Sequence, residues 1–280
     1  MLRHLARILL LLVIVAVMAF LYGMLVEREW VDETEFVVET PEWQTRDARL
    51  AVLADLHART WDGDYLDSIV RRTLETKPDA VLLLGDFMAG SPQSTLEASM
   101  PETEIAEHLK PLASLPCYAV LGNHDYYHNA AAVCAALEGI GVKFVEAQRV
   151  RLLIDGLPLD IGGIHSMSQY HELGCVPEPQ PGVPLVMLSH SPIGAEHAHP
   201  NTLVTLAGHM HGGQLRIPGI GPLFHFDTCV PRSHTAGAHT LQNGQLVYVS
   251  RGLGTGSVPI RICCRPELLI LIVRQAKQKD

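Results

Sequence analysis

Residues 203–219 read LVTLAGHMHGGQLRIPG. An apolar run typical of a buried strand ends in His209 and His211, two histidines separated by one residue. In extended backbone, side chains two positions apart project to the same side. Glycines flank the pair and leave a slim backbone that another group can approach closely. The pattern therefore predicts a strand whose end directs two imidazoles toward one site.

The same kind of ending closes four other apolar runs. Each is followed by aspartate, histidine or asparagine: Asp55 and His57 after LAVLA, Asp86 after AVLLLG, Asn123, His124 and Asp125 after CYAVLG, and His190 after PLVMLS. Open α/β sheets build their sites at the carboxyl ends of strands. Carboxylate, imidazole and amide donors suit manganese, iron, zinc or magnesium. No cysteine recurs in this set, so a structural thiolate zinc site is not indicated.

Amphipathic helical segments separate the apolar runs. One of them is YLDSIVRRTLETKP, which ends at Pro78. The pair Asp155–Gly156 predicts a hairpin turn. The alternation of strands and helices, followed by a more hairpin-rich half, predicts an α/β sandwich with mixed sheets.

The motifs DLH, GDF, GNHD, LSH and GHMH resemble, in this order, those of the calcineurin-like metallophosphoesterases across residues 48–273. The segments GHMHGGQLRIPG and SRGLGTGSVPIRICCRPELLIL are similar to the membrane-associated bacterial branch that includes the YkuE and YaeI phosphoesterases. The resemblance implies a four-layer α/β/β/α sandwich with two mixed sheets and a dinuclear metal site at the carboxyl ends of the strands.

The resemblance also implies a role for each residue of the site. The implied first metal has the ligands Asp55, His57, Asp86 and His211, the second has Asp86 as a bridge with Asn123, His190 and His209, and catalysis uses His124 as the acid beside the leaving group, oriented by Asp125.

Paired cations have a direct use in phosphoester hydrolysis. They stabilise charge on the phosphoryl group and lower the pKa of a shared water, so that hydroxide exists at neutral pH. The predicted function is therefore cleavage of a phosphoester P–O bond by a hydroxide that bridges two divalent ions, which could be manganese, iron or zinc. A narrower alternative is hydrolysis of a lipid-linked pyrophosphate of the UDP-2,3-diacylglucosamine type. A non-catalytic metal-binding scaffold is disfavoured because every implied ligand is present together with His124.

The overall charge argues against a nucleic-acid partner. The 280 residues carry a formal net charge of -9, with no run of lysine or arginine. Nonspecific binding to DNA or RNA usually requires a basic face. The expected partners are a phosphoester substrate, which is lipid-linked in the narrower alternative, and a membrane.

The N-terminal segment predicts the membrane contact. Residues 8–26 are uncharged and mostly apolar, a helix long enough to cross a bilayer core. A cleaved signal peptide and a buried core helix are the alternatives. Arg3 and Arg7 precede the run and acidic residues follow it, which favours a cytoplasmic N-terminus. We expect a single-pass anchor in the bacterial inner membrane over residues 1–29, a linker over 30–47, an extracytoplasmic domain over 48–275 and a tail over 276–280.

Three further side chains have two interpretations each. Arg59 either contacts a phosphate or is exposed to solvent, and Arg251 contacts substrate or forms a structural salt bridge. His165 either borders the site or makes an ordinary hydrogen bond.

Overall fold

The structure is a computed structural model that describes residues 2–90, 98–164 and 176–277. Its α-helices are α1 (Leu2–Leu25), α2 (Gly63–Glu75), α3 (Glu102–Leu109), α4 (Asn123–His128) and α5 (Ala130–Gly139). Its strands are β1 (Asp32–Thr40), β2 (Ala48–Leu53), β3 (Ala80–Leu83), β4 (Cys117–Ala119), β5 (Lys143–Phe144), β6 (Arg149–Ile154), β7 (Leu157–Ile164), β8 (Leu185–Ser189), β9 (Val204–Ala207), β10 (Arg216–Ile217), β11 (Gly221–Pro222), β12 (Gly237–Thr240), β13 (Leu246–Val249) and β14 (Glu267–Gln275).

Two six-stranded sheets form the body of the protein, and both are mixed. The first has the order β1-β14-β2-β3-β4-β5, and the second has the order β12-β13-β9-β8-β7-β6. Strands β2, β3, β4 and β5 run parallel, as do β7, β8, β9 and β13. The Asp155–Gly156 turn joins β6 to antiparallel β7. The expectation of an α/β sandwich with two mixed sheets is confirmed.

The inner faces of the two sheets share one apolar core. Val52 and Leu82 from the first sheet pack in the same cluster as Leu188 and Leu206 from the second. Helices α2, α3 and α5 cover the outer face of the first sheet, and α2 buries Leu66, Ile69, Val70 and Thr73 at helical spacing. Within the described residues, the outer side of the second sheet is covered by the 3₁₀-helix Pro192–His197 and irregular chain.

The interval expected to be a linker contains part of the first sheet. Strand β1 pairs in parallel with β14 over nine residues, from Asp32 beside Glu267 to Thr40 beside Gln275. Burial alternates along this strand, and three of its four exposed positions are glutamates, Glu33, Glu35 and Glu39. The assignment of all of 30–47 to a linker is therefore wrong for residues 32–40. The expected tail extends beyond the described residues after position 277.

Helix α1 leaves the domain with its apolar side chains exposed. The helical span Arg3–Glu29, which includes most of α1, is the one helix within the described residues that is long and apolar enough to cross a membrane. Its most apolar stretch has a mean hydropathy of 2.9, and only 6% of that stretch is buried. A buried core helix is excluded by this exposure. The apolar composition of this helix suits the hydrocarbon core of a membrane.

The topology brings the predicted strand ends to one place. Each of β2, β3, β4, β8 and β9 ends a few residues before one of the polar motifs, and these strands are parallel within their own sheets. Their carboxyl ends therefore meet along one edge of the sandwich.

Candidate metal centre

Three groups of potential metal ligands lie along this edge. In each group the ligand atoms fall within 4.8 Å of one another: Asp55, His57 and His211; His57, Asp86 and His124; Asp86, His190 and His209. Asn123 extends the last group, because its Oδ1 lies 3.1 Å from Nε2 of His190. The geometry thus brings together all seven residues that the sequence predicted as ligands.

Asp86 lies between the two halves of the centre. Its Oδ2 is 3.3 Å from Nε2 of His57 and 3.2 Å from Nε2 of His190. All three side chains are buried. One carboxylate oxygen therefore serves both sides, which is the position a bridging ligand requires.

Backbone carbonyls fix the orientation of two of the imidazoles. Nδ1 of His57 donates to the carbonyl of Met88, and Nδ1 of His190 donates to the carbonyl of Leu84. In the neutral rings this leaves both Nε2 atoms with lone pairs. The Nε2 lone pair of His57 then faces Nε2 of His211 at 3.1 Å, and that of His190 faces Nδ1 of His209 at 3.2 Å. Metal-ligating histidines typically direct one ring nitrogen at the metal and donate a hydrogen bond from the other nitrogen to a backbone carbonyl or a carboxylate.

Burial and neighbouring carboxylates shift the pKa values of side chains in the centre in different directions. Burial lowers the pKa of His190, but the charges of Asp86 and Asp55 outweigh it and raise that pKa to about 10. Burial lowers the pKa of His57 to about 4 and raises the pKa of Asp55 to about 6. Nδ1 of His211 is a buried atom without a hydrogen-bond partner in the described structure. These donors fit two divalent cations.

Several of the expected ligands have an unfavourable backbone conformation with positive φ. Five of the ten non-glycine residues with positive φ in the described structure belong to the centre: Asp55 (53°), His57 (41°), Asp86 (54°), His209 (68°) and His211 (49°). Such conformations are unfavourable for residues with a Cβ and concentrate at functional sites. The expectation that His209 and His211 extend from one strand is wrong, because β9 ends at Ala207 and His211 begins a 3₁₀ turn. The two imidazoles nevertheless enter different ligand groups, which agrees with the expected assignment of one histidine to each metal.

Two glycines let the carboxylates approach the backbone. A Cβ on Gly122 would lie 2.1 Å from Oδ1 of Asp86, and one on Gly208 would lie 2.7 Å from Oδ2 of Asp55. The lack of a side chain at Gly208, next to His209, therefore leaves room for the carboxylate of Asp55, which is itself an expected ligand. Side chains at these positions would displace them.

Residues 48–213 match the family model described as calcineurin-like phosphoesterase. This match covers more than half of the chain and includes every predicted ligand. The chain belongs to the calcineurin-like phosphoesterases. The family resemblance inferred from the five motifs is confirmed.

Known members of the calcineurin-like phosphoesterases are similar over most of the chain. A transmembrane protein with metallophosphoesterase domain from Danio rerio is 28% identical over 95% of this chain, which spans 62% of that relative's length. Phosphodiesterase YaeI from Escherichia coli is 27% identical over 80% of this chain and 81% of its own length. The metallophosphoesterase YkuE from Bacillus subtilis is 26% identical over 75% of this chain and 72% of its own.

In this calcineurin-like phosphoesterase, Asp125 has a different role from the one expected. The family resemblance implied that Asp125 orients His124. Its carboxylate instead accepts hydrogen bonds from four backbone amides, those of Asp86, Phe87, Met88 and Gly122. Nδ1 of His124 donates to the carbonyl of Gly90 at 2.7 Å. Asp125 therefore fixes the loop that carries Asp86, and a backbone carbonyl orients His124.

A cavity of about 570 Å³ opens over the ligand groups of this phosphoesterase. Asp86, Asn123, His124, His209 and His211 line it. The remaining lining residues were not predicted from sequence. They are Tyr127 of α4 and the loop residues Phe226, Asp227, Thr228, Cys229, Gly256 and Ser257. The volume suits a small phosphorylated group.

Asp227 is the most informative of the missed residues. Its Oδ2 is buried without a hydrogen-bond partner in the described structure and lies 3.6 Å from Nε2 of His209. Because Nδ1 of His209 faces His190, Asp227 stands behind the ring. The sequence FDTC gave no signal, since a single aspartate in a loop has no periodicity.

The open interpretations of two arginines are now resolved. Arg59 is buried, and its guanidinium donates to Thr255 and to the carbonyl of Gly256, so neither phosphate contact nor solvent exposure describes it. Arg251 forms structural ion pairs with Asp32 and Glu267. His165 lies outside the described residues.

Proposed function

We propose that this chain is a metal-dependent phosphohydrolase that cleaves a phosphoester P–O bond. The observation that carries the proposal is the shared position of Asp86, whose Oδ2 lies within 3.3 Å of histidines from two ligand groups. Membership of the calcineurin-like phosphoesterases supports this chemistry. A cavity above the ligands provides room for the phosphoryl group.

The two proposed metal positions divide the ligands as the sequence suggested. Asp55, His57, Asp86 and His211 hold one ion, and Asp86, Asn123, His190 and His209 hold the other. When bound, two divalent ions would neutralise phosphoryl charge and activate water at neutral pH. Asn123 contributes a neutral oxygen, so the site gains a ligand without added repulsion of an anionic substrate. The donor set accepts manganese, iron or zinc.

His124 is the proposed proton donor to the leaving oxygen. It lines the cavity beside the ligands, and its ring centroid is 4.6 Å from that of His57. The hydrogen bond from Nδ1 to Gly90 holds the ring and leaves Nε2 for proton transfer. Asp125 acts indirectly by fixing the loop of Asp86.

We further propose that α1 tethers the domain to a bacterial inner membrane, with the domain on the extracytoplasmic side. Exposed apolar side chains along α1 and the preceding Arg3 and Arg7 support this arrangement. Hydrolysis of a nucleotide-activated lipid pyrophosphate would require the opposite orientation. Labelling of the exposed Cys229 by an impermeant maleimide in intact spheroplasts separates the two orientations.

A substrate panel tests the proposed activity. The full-length chain, purified in detergent and loaded with manganese, is assayed on bis-p-nitrophenyl phosphate, p-nitrophenyl phosphate and a lipid-linked pyrophosphate. We expect hydrolysis of at least one ester, loss of activity with EDTA and recovery with added manganese. Metal-loaded protein that hydrolyses none of them would contradict the proposal.

A further inference from the structure

A group of exposed apolar side chains includes Phe226, which lines the cavity. We call it the apolar rim, and its members are Ile217, Ile220, Leu223, Phe224, Phe226 and Val258. Ile220 is 75% exposed at the tip of the β10–β11 hairpin. Phe224 and Phe226 have ring centroids 6.4 Å apart, and the ring of Phe226 lies 5.8 Å from that of His211. The rim therefore reaches from the hairpin tip to the ligand groups.

The segment that follows Arg216, from the hairpin tip to Phe226, has an unusual composition for a surface that faces water. Residues 217–226 include no aspartate, glutamate, lysine or arginine. Next to them, the exposed Arg232 donates to the backbone carbonyls of Pro222 and Leu223. Large exposed apolar patches mark sites of interaction, and apolar side chains flanked by arginine are typical of surfaces that enter a lipid interface.

The rim is attached to the end of the apolar helix through short backbone connections. The amide of Arg261 donates to the carbonyl of Gly23 in the last turn of α1, at 3.2 Å. The amide of Arg216 in β10 donates to the carbonyl of Ile262 at 2.9 Å. Arg261 and Ile262 are consecutive residues, so one short segment is hydrogen-bonded to both α1 and β10. The hairpin thus lies beside the point where α1 leaves the domain.

The junction between α1 and the domain is also fixed by side chains. Glu27 is 3% exposed and accepts a hydrogen bond from the amide of Cys264 at 2.7 Å. A Cβ on Gly23 would meet the side chains of Ile260 and Ile262 at 2.8 and 2.9 Å, so no larger residue fits there. Half-exposed Trp30 follows the helix and packs against the guanidinium of Arg265. Tryptophan at a helix end suits the membrane interface.

We infer that the apolar rim inserts into the interfacial layer of the bilayer that α1 spans, and that the substrate is a phosphorylated amphiphile of that bilayer. The phosphate of such a molecule reaches the ligand groups past Phe226, while its apolar part remains among the rim side chains and lipid. This substrate class rests on the proposed phosphohydrolase function. The membrane contact of the rim rests on the continuity between the hairpin and α1.

Fluorescence quenching tests the membrane contact without any turnover. The full-length chain is placed in nanodiscs of phosphatidylcholine and phosphatidylglycerol, with a genetically encoded fluorescent amino acid replacing Ile220. The matched control replaces Leu153, which is 63% exposed on β6. We expect doxyl-labelled lipid to quench the label at 220 strongly and the label at 153 weakly, and iodide to do the reverse. Equal quenching by lipid at both positions, or protection at 220 from both quenchers as in a protein interface, would overturn the inference.

A kinetic comparison tests the substrate class. The ratio of kcat/KM for hexadecyl p-nitrophenyl phosphate in nanodiscs to that for bis-p-nitrophenyl phosphate is measured for Ile220→Ser with Phe224→Ser. We expect this ratio to fall about tenfold from the wild-type value, because the rim loses apolar contact with the alkyl chain. Leu153→Ser should leave it unchanged. An unchanged ratio in the double variant would overturn the substrate class. Lipid quenching at 220 in a protein that hydrolyses neither of these diesters nor any substrate of the panel above would instead refute the proposed function while supporting the membrane contact.

Discussion

Nε2 of His57 lies 3.1 Å from Nε2 of His211, and both rings are buried. Since Nδ1 of His57 donates to Met88, the lone pair on its Nε2 points toward the second ring. A divalent cation held by both residues would satisfy both nitrogens. We therefore expect His211→Ala to lose about one equivalent of manganese and retain the other, because His190 and His209 remain in place. Metal analysis after equilibrium dialysis measures this. Retention of both equivalents would contradict the assignment of His211.

Asp125→Asn tests the loop-fixing role of the carboxylate. Both oxygens accept from backbone amides, and an asparagine NH₂ would face donors instead of accepting from them. We expect a loss of about 1–3 kcal/mol in the free energy of unfolding. Urea denaturation measures the change. His124→Ala is the comparison and should keep both stability and metal content while it slows hydrolysis. Unchanged stability in Asp125→Asn would show that the amide bonds are not the main role of Asp125.

Asp227→Asn tests a residue that stands behind a ligand. Asp227 lies 3.6 Å from Nε2 of His209, and this histidine in turn lowers the pKa of the Asp227 carboxyl. Outer carboxylates orient metal-binding histidines, so we expect manganese affinity at one position to fall about 10- to 100-fold. Titration calorimetry measures it. The matched control is Glu196→Gln, at an exposed acidic residue that belongs to none of the three ligand groups, and it should bind as the wild type does. Equal manganese affinity in the two variants would contradict a role for Asp227 in orienting His209.

Gly122→Ala tests the close approach of Asp86 to the backbone. The added Cβ would lie 2.1 Å from Oδ1 of Asp86, so either the carboxylate or the loop must move. We expect about 1–3 kcal/mol of destabilisation together with loss of metal binding. The control is Gly139→Ala at the end of α5, where a Cβ meets no atom within 4 Å. Thermal unfolding with metal analysis distinguishes the two variants. Normal metal content in Gly122→Ala would contradict the geometry.

Much of the site could be predicted because the apolar runs mark buried strands and the polar residues after them mark strand ends. Parallel pairing aligns the strand ends within each sheet, and packing of the two sheets then brings distant positions together, as with Asp55 and His209, whose amide donates to the Asp55 carboxylate. The resemblance to the family motifs supplied the expected division of these ligands between two metals. This information is local in sequence, so it survives without knowledge of tertiary contacts.

The remaining features depend on tertiary contacts that have no sequence period. The role of Asp125 is decided by four amides from two loops, and the burial of Arg59 is decided by the distant Thr255. Positive φ at His209 and His211 breaks the extended geometry that their spacing suggested. Strand β1 was missed because its outward face is acidic and its partner β14 lies at the far end of the chain.

The most direct test of the account is the manganese stoichiometry of Asp86→Ala beside that of the wild type. Because Oδ2 of Asp86 contacts histidines of both ligand groups, its removal should affect both positions at once. Equilibrium dialysis followed by elemental analysis should give about two equivalents for the wild type and far less than one for Asp86→Ala. A wild-type chain that binds one equivalent or none, or an Asp86→Ala variant that keeps both, would contradict a centre built around this carboxylate.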